Sequence, residues 1–197
     1  MDFTTEIGSH TLEYVDETHT YLVDGMIVPS MTQIVKYVTP DAFASVPPNV
    51  LAKAAKKGTA VHAAIENYCI NGVETDAPEL RGFKFFQNKI PFTVKGNEIP
   101  VILAHNGFFA AGRLDLVIEV DGKTGGADIK CVTTVNREYC TAQLNLYRLA
   151  YRYSYGVDWE FLKIIQVKDL VRKFIDIPIK EKETLALLNK YFAEPPL

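Results

Sequence analysis

The sequence predicts a chain of mixed helices and strands, an α/β (α+β) fold, and three observations point that way. Apolar-rich runs sit on either side of Asp24-Gly25, Asn106-Gly107 and Asp121-Gly122. Asp-Gly and Asn-Gly favour the two-residue hairpin turn, whose central residues both need positive φ. Between these segments lie stretches of helical period at 30–38, 50–70, 79–90, 137–155 and 180–192. The composition, 48% hydrophobic and 23% charged over 197 residues, is that of an ordinary globular domain.

Taken in order, residues 11–28 read as a small hairpin turning at Asp24-Gly25 and ending at Pro29. Ser30 is a natural N-cap for the helix SMTQIVKYV, which Pro40 stops. Residues 41–49 form a loop. Residues 50–70 are alanine-rich and helical, with a break and restart expected at Gly58-Thr59. His62 and Glu66 are i, i+4 neighbours and share one face of this segment. A loop containing Pro78 leads to the helix 79–90, which Pro91 ends. Residues 92–104 read as strands passing through Asn106-Gly107 into FFAAGRLDLV.

The helix 137–155 runs to Gly156, a residue suited to the left-handed position after a helix end. Leu146, Leu149 and Tyr153 keep helical spacing and suggest one core stripe. Gln143 and Tyr147 lie on another face, with Arg148 and Arg152 adjacent. Residues 159–179 read as a further hairpin, and 180–192 as an amphipathic helix ending at Glu194-Pro195. The expected organisation is one domain over 1–197. It divides into a lead-in (1–49), a core (50–155) and a closing hairpin and helix (156–197).

No apolar run approaches the roughly 18 residues needed to span a bilayer, and the first residues lack a basic stretch followed by an apolar one. A cytosolic location is expected. Cys69, Cys131 and Cys140 are too few for a four-ligand cluster and too scattered for a disulfide framework. A net charge of −3 argues against coating nucleic acid by bulk electrostatics. The charge is unevenly spread. Residues 1–49 carry seven acidic side chains against Lys36, whereas 50–70 and 131–175 carry +2 and +3. Solvated helix faces account for such patches in most chains.

The sharpest feature is GRLDLVIEVDGKTGGADIK at 112–130. A hairpin symmetric about Asp121-Gly122 sets Asp115 opposite Asp128. Side chains alternate along a strand, so Asp128 and Lys130 share a face and Ile129 takes the other. Like charges placed opposite each other destabilise a strand pair. A divalent cation between the carboxylates resolves that repulsion. Mg²⁺ is held by one or two carboxylates, with water and phosphate completing its shell. The Ile129 carbonyl and His62 can add ligands, and an imidazole nitrogen makes Mn²⁺ acceptable too. Lys130 would sit beside the ion, placed to stabilise a phosphoryl oxygen or orient a water. Glu98, upstream of the hairpin, can reach the same acidic face, although a surface carboxylate is its plainer reading. Gly125-Gly126 is too short for a phosphate-cradling loop and lies on the wrong side of the strand.

The order G-T-A-V-H-x-x-x-E (58–66), G-R-L-D (112–115), D-I-K (128–130) and Q-x-x-x-Y (143–147) resembles the RecB-like branch of the PD-(D/E)xK nuclease superfamily. It is especially similar to small phage and bacterial exonucleases and to the mitochondrial genome maintenance exonuclease group. The stretch THTYLVDGMIVPSMTQIV resembles the lead-in of such proteins, and the likeness spans roughly residues 18 to 155.

The resemblance implies a mixed central β-sheet flanked by helices, a restriction-endonuclease-like core. It implies His62, Asp115, Asp128 and the Ile129 carbonyl as ligands of Mg²⁺ or Mn²⁺, with Lys130 as the catalytic lysine. Gln143 and Tyr147 would support the site and contact DNA, with Arg113 and Arg148 beside them. Glu66 and Glu98 match accessory acidic positions. The implied activity is DNA hydrolysis, most simply by an exonuclease in phage DNA processing, recombination or repair. The chain carries no helicase motif, so unwinding would need a helicase or recombination partner, and a homo-oligomer is possible. A non-catalytic DNA- or protein-binding module on the same fold, or a structure-specific endonuclease, are the alternatives.

Overall fold

Asp121 and Gly122 adopt φ of 50° and 76°, and the same pair of left-handed residues recurs at Asp24-Gly25 and Asn106-Gly107. These turns pin the register of both sheets in the computed structural model, which describes residues 2–169 and 171–193. The expected helix end at Glu194-Pro195 lies outside the described residues.

The N-terminal segment is a four-stranded antiparallel meander of β1 (Phe3–Ile7), β2 (His10–Val15), β3 (Thr20–Val23) and β4 (Met26–Val28). The expected hairpin supplies β2 to β4, and β1 extends it by pairing Phe3–Ile7 with Tyr14–His10. α1 (Met31–Val38) follows under a capping box, with Ser30 and Gln33 satisfying each other's backbone N–H groups.

The second sheet orders β5 (Phe92–His105), β6 (Phe108–Val120), β7 (Lys123–Lys130), β8 (Phe161–Lys168) and β9 (Val171–Ile177). Its pairs are antiparallel except β7–β8, which is parallel because the chain crosses over through α4 (Arg137–Tyr155) between them. The result is a mixed α+β architecture with helices on both faces of the sheet. On one face α1, α4 and α5 (Glu181–Ala193) pack with Leu114, Val117 and Ile164. On the other, α2 (Pro48–Asn71) and α3 (Pro78–Lys89) pack with Leu116, Ile118, Ile129 and Ile165. The meander joins through Leu12 and Val23, buried against Ile102 and Ala111. Among the described residues no helix is long and apolar enough to cross a membrane.

Two local expectations change. Gly58-Thr59 does not break the helix: α2 runs unbroken for 24 residues, and the Thr59 hydroxyl donates to the Ala55 carbonyl one turn back. Packing leaves the helix's first turns clear of the core, with Lys53, Lys56 and Lys57 exposed and Val61 and Ile65 its buried residues. The stripe on α4 holds for Leu146 and Leu149, but Tyr153 is 45% exposed. Its hydroxyl instead meets His10 Nε2 at 3.1 Å, tying α4 to the meander.

Candidate metal centre

The alternation along β7 turns Ala127 and Ile129 into the core beneath α2 and α3, so Asp128 and Lys130 face α4. Lys130 Nζ donates 3.0 Å hydrogen bonds to Asp128 Oδ1 and to Gln143 Oε1 of α4, and lies 2.7 Å from Asp128 Oδ2. Asp128 is 3% exposed, and burial raises its carboxyl to a pKa of about 6 against the pull of Lys130. Burial works to lower the Lys130 ammonium, but the Asp128 and Asp115 carboxylates outweigh it and hold the group firmly protonated. Despite the ammonium beside it, buried Asp128 Oδ2 has no hydrogen bond among the described residues.

The hairpin ladder keeps the expected register from Val120↔Lys123 to Leu116↔Ala127. One step further it opens, and Asp115 Oδ2 accepts the Ile129 backbone N–H at 2.7 Å. The neighbouring strand deviates at the same level. Glu98 lies between the pairs Asn97↔Leu116 and Ile99↔Leu114 and takes a left-handed φ of 49°. On β6, Leu114 and Val117 both enter the α4-side core, so the two-residue alternation slips at Asp115. Together these departures turn Glu98 and Asp115 toward α2. A left-handed non-glycine residue costs about 1–2 kcal/mol and persists where its surroundings over-determine it.

His62 meets them from α2. Its Nε2 donates to the Ile129 carbonyl at 3.1 Å, and its Nδ1 lies 3.5 Å from both Asp115 Oδ1 and Glu98 Oε1. Arg113 Nε holds the other Glu98 oxygen at 2.7 Å. The Asp115 carboxylate, opposed by burial and helped by Glu98 and Asp128, raises the imidazole pKa to about 9. At neutral pH His62 is therefore an imidazolium, a positive charge set among carboxylates.

The donor set fits a hard divalent ion. His62, Glu98 and Asp115 offer ligand atoms that all lie within 4.8 Å of one another. They open on a cleft of about 440 Å³ that Glu66 and Tyr147 also line. Carboxylate oxygens with one imidazole nitrogen suit Mg²⁺ or Mn²⁺. The Nε2 hydrogen bond to a backbone carbonyl is the orienting contact common for a metal-binding histidine.

Most of the residues singled out in the sequence converge here. His62, Glu98 and Asp115 form the donor set, while Asp128, expected as a ligand, lies outside that set and pairs with Lys130, which reaches Gln143. Tyr147 and Glu66, one turn along α2, line the cleft, and Arg113 orients Glu98. Ile129, expected as a ligand through its carbonyl, engages His62 with that oxygen instead. Arg148 does not reach the site. It is 8% exposed and is bound by Asp158, by Glu181 at 2.8 Å and by the Trp159 carbonyl at 3.3 Å. Arg152 joins the same pairs and Lys163 pairs with Asp176, so much of the positive charge over 131–175 is spent internally. Lys57 is paired too, with buried Glu79 at 2.6 Å. Exposed Lys53 and Lys56 make no ion pair among the described residues.

Sequence reasoning missed Tyr21 and Thr32, which line the cleft from the N-terminal segment. It also missed Gln166, whose amide donates to the Val132 and Thr133 carbonyls at 2.8 and 2.9 Å and fixes the chain just past Lys130. A glutamine inside the apolar run LKIIQV was the available signal, since a buried amide needs partners.

No protein-family model matches the chain, and no curated protein matches it. A solved structure of the protein SSO0001 is similar to it with a TM-score of 0.49 and 14% sequence identity, over 86% of this chain and 78% of that one.

Proposed function

We propose that the protein is a metal-dependent DNA nuclease of the RecB-like PD-(D/E)xK type, acting as an exonuclease on DNA ends or single strands with Mg²⁺ or Mn²⁺. The observation that carries this reading is the cluster of His62, Glu98 and Asp115 with the Asp128–Lys130 pair of β7 near enough for its carboxylate to act on the His62 charge. Burying that many carboxylates together costs stability unless a cation is part of the working state.

His62, Glu98, Asp115 and Asp128 are the residues to hold the ion. A divalent ion held there would supply Lewis-acid chemistry, polarising the phosphate and lowering the pKa of its water toward neutrality. Asp115 is anchored through Oδ2 on the Ile129 N–H, which leaves Oδ1 to coordinate. Glu98 is held through Oε2 by Arg113, which leaves Oε1. To serve as a ligand, His62 would give up the proton at Nδ1, the nitrogen facing both carboxylates. Lys130, kept charged by Asp128 and aimed by Gln143, stabilises charge on a phosphoryl oxygen or orients the attacking water.

Incubation with end-labelled linear DNA and closed circular DNA, with Mg²⁺, Mn²⁺ or EDTA, tests the reading. Loss of linear DNA alone, blocked by EDTA, is expected. Nicked circles would make it an endonuclease, and intact DNA with either metal overturns the catalytic reading.

A further inference from the structure

A second cavity of about 440 Å³ adjoins the metal cleft, and Tyr21, Thr32 and Tyr147 line both. One strand runs beneath the pair: on β6, Gly112 lines the second cavity while Arg113 and Asp115 line the first. Two joined lobes make a trough suited to an extended polymer rather than to one small ligand.

The lobes differ in chemistry. The first holds the acidic cluster around His62. The second presents Lys36, the hydroxyls of Thr18, Ser30 and Thr32, and the rings of Tyr14 and His19, with no carboxylate in its lining among the described residues. Asp16 approaches at the Tyr14 hydroxyl. A cation with hydroxyl donors suits a phosphate, which an acidic lobe without its metal would repel.

The aromatic wall is built, not incidental. Tyr14 and Tyr21 face each other across β2 and β3 with ring centroids 4.7 Å apart. His19 sits in the connecting turn with a left-handed φ of 51°, and its Nδ1 lies 2.7 Å from the Tyr14 hydroxyl. A strained, exposed turn residue whose ring is fixed by the Tyr14 hydroxyl offers a flat face to the cavity. Base stacking on such faces needs an unpaired base, because a duplex hides both faces of each base between its neighbours.

The geometry points to the second lobe as the site for the nucleotide next to the cleaved phosphate of single-stranded DNA. Lys36 and Thr32 hold its phosphate, and its base stacks against His19 and Tyr21. This rests on the nuclease reading for which phosphate is cleaved, but the binding it describes needs no metal.

Fluorescence polarisation with a labelled oligothymidine in EDTA tests it, with thermal melting to confirm each variant's fold. Lys36→Ala is expected to bind several-fold more weakly, with the slope of log K against log salt shallower by about 0.7, the value for one single-strand phosphate contact. His19→Ala is expected to lose about tenfold with the slope unchanged, as for one stacked base. Lys182→Ala, on the exposed face of α5, binds as the parent does. The proposal is overturned if the parent binds no oligothymidine at low salt, or if Lys36→Ala and His19→Ala stay within twofold of it. It is overturned equally if duplex binds as tightly with the same His19 loss. Cleaving protein without these losses leaves the nuclease reading standing and this one fallen; the losses without cleavage under either metal keep the lobe as a single-strand binding site and overturn the nuclease reading with its cleaved phosphate.

Discussion

Asp115 Oδ2 accepts the Ile129 N–H at 2.7 Å at the point where the β6–β7 ladder gives out. That single bond explains how two strand carboxylates come close without forcing the hairpin apart. Asp115 is tied to the backbone of β7, Asp128 to the Lys130 ammonium, and the space between Asp115 and Glu98 is filled by the His62 imidazolium. The cluster is thus charge-compensated by a proton on His62, and under the proposed metal-binding role loading an ion would mean removing that proton.

Proton release should therefore accompany metal binding. The folded His62 pKa is raised to about 9 from 6.5. Its imidazolium stabilises the metal-free fold fully below pH 6.5, and that contribution fades as the pH rises through 9. At pH 7.5, calorimetric titration of Mn²⁺ in buffers of different ionisation enthalpy should show close to one proton released per ion. Affinity should climb with pH and level off above about 9. A release near zero at pH 7.5 would detach His62 from the site.

Asp115 is the largest cause of the His62 shift, so removing its charge should be visible directly. In Asp115→Asn, NMR titration of the His62 ring should give a pKa clearly lower than in the parent. An unchanged value would mean that the imidazole owes its charge to Glu98 and Asp128 instead.

Gly125 and Gly126 serve packing. A Cβ at Gly126 would lie 2.1 Å from the Trp159 ring, and one at Gly125 would lie 2.5 Å from the Phe161 carbonyl oxygen. Overpacking of this kind costs typically 1–3 kcal/mol, and a clash this close belongs at the upper end or beyond. Gly126→Ala should lower unfolding free energy by about 3 kcal/mol in urea denaturation. A loss under about 1 kcal/mol would show that the Trp159 ring moves aside freely.

Arg148 should behave as a structural residue. Arg148→Met removes the buried partner of Asp158 and Glu181 and leaves them to Arg152 alone, though both carboxylates are partly exposed and recover some hydration. A loss of about 2 kcal/mol in stability is expected, with DNA affinity held within twofold of the parent at a temperature where both are folded. Weakened DNA binding by folded Arg148→Met would return this residue to the binding surface.

Local signals carried much of this structure into the sequence. Asp121-Gly122 dictated the turn and, through it, the register from Val120↔Lys123 to Leu116↔Ala127, though not the pairing of Asp115 with Asp128; Ser30-x-x-Gln33 and Gly156 marked helix ends. What stayed hidden depends on partners far along the chain. Gly58 weakens a helix in isolation, yet α2 continues through it. Strand β1, FTTEI, has too little apolar pattern to declare itself and exists through its pairing with β2. The left-handed Glu98 makes sense only beside Asp115, and Arg148 turned inward because Asp158 in the loop after α4 and Glu181 at the start of α5 bind it there. Tyr21 and Thr32 reach the cleft because the meander and α1 fold back over β6, which no spacing along the chain reveals.

Single-turnover cleavage of end-labelled linear DNA in saturating Mn²⁺, comparing the parent with Lys130→Ala of matched melting behaviour, tests the account at its centre. The ammonium that Asp128 charges and Gln143 aims should supply much of the transition-state stabilisation. The rate for Lys130→Ala should fall by about 10²–10³ or more, while Mn²⁺ still binds. Cleavage at the parental rate by that variant would contradict the assignment of this site as the catalytic centre.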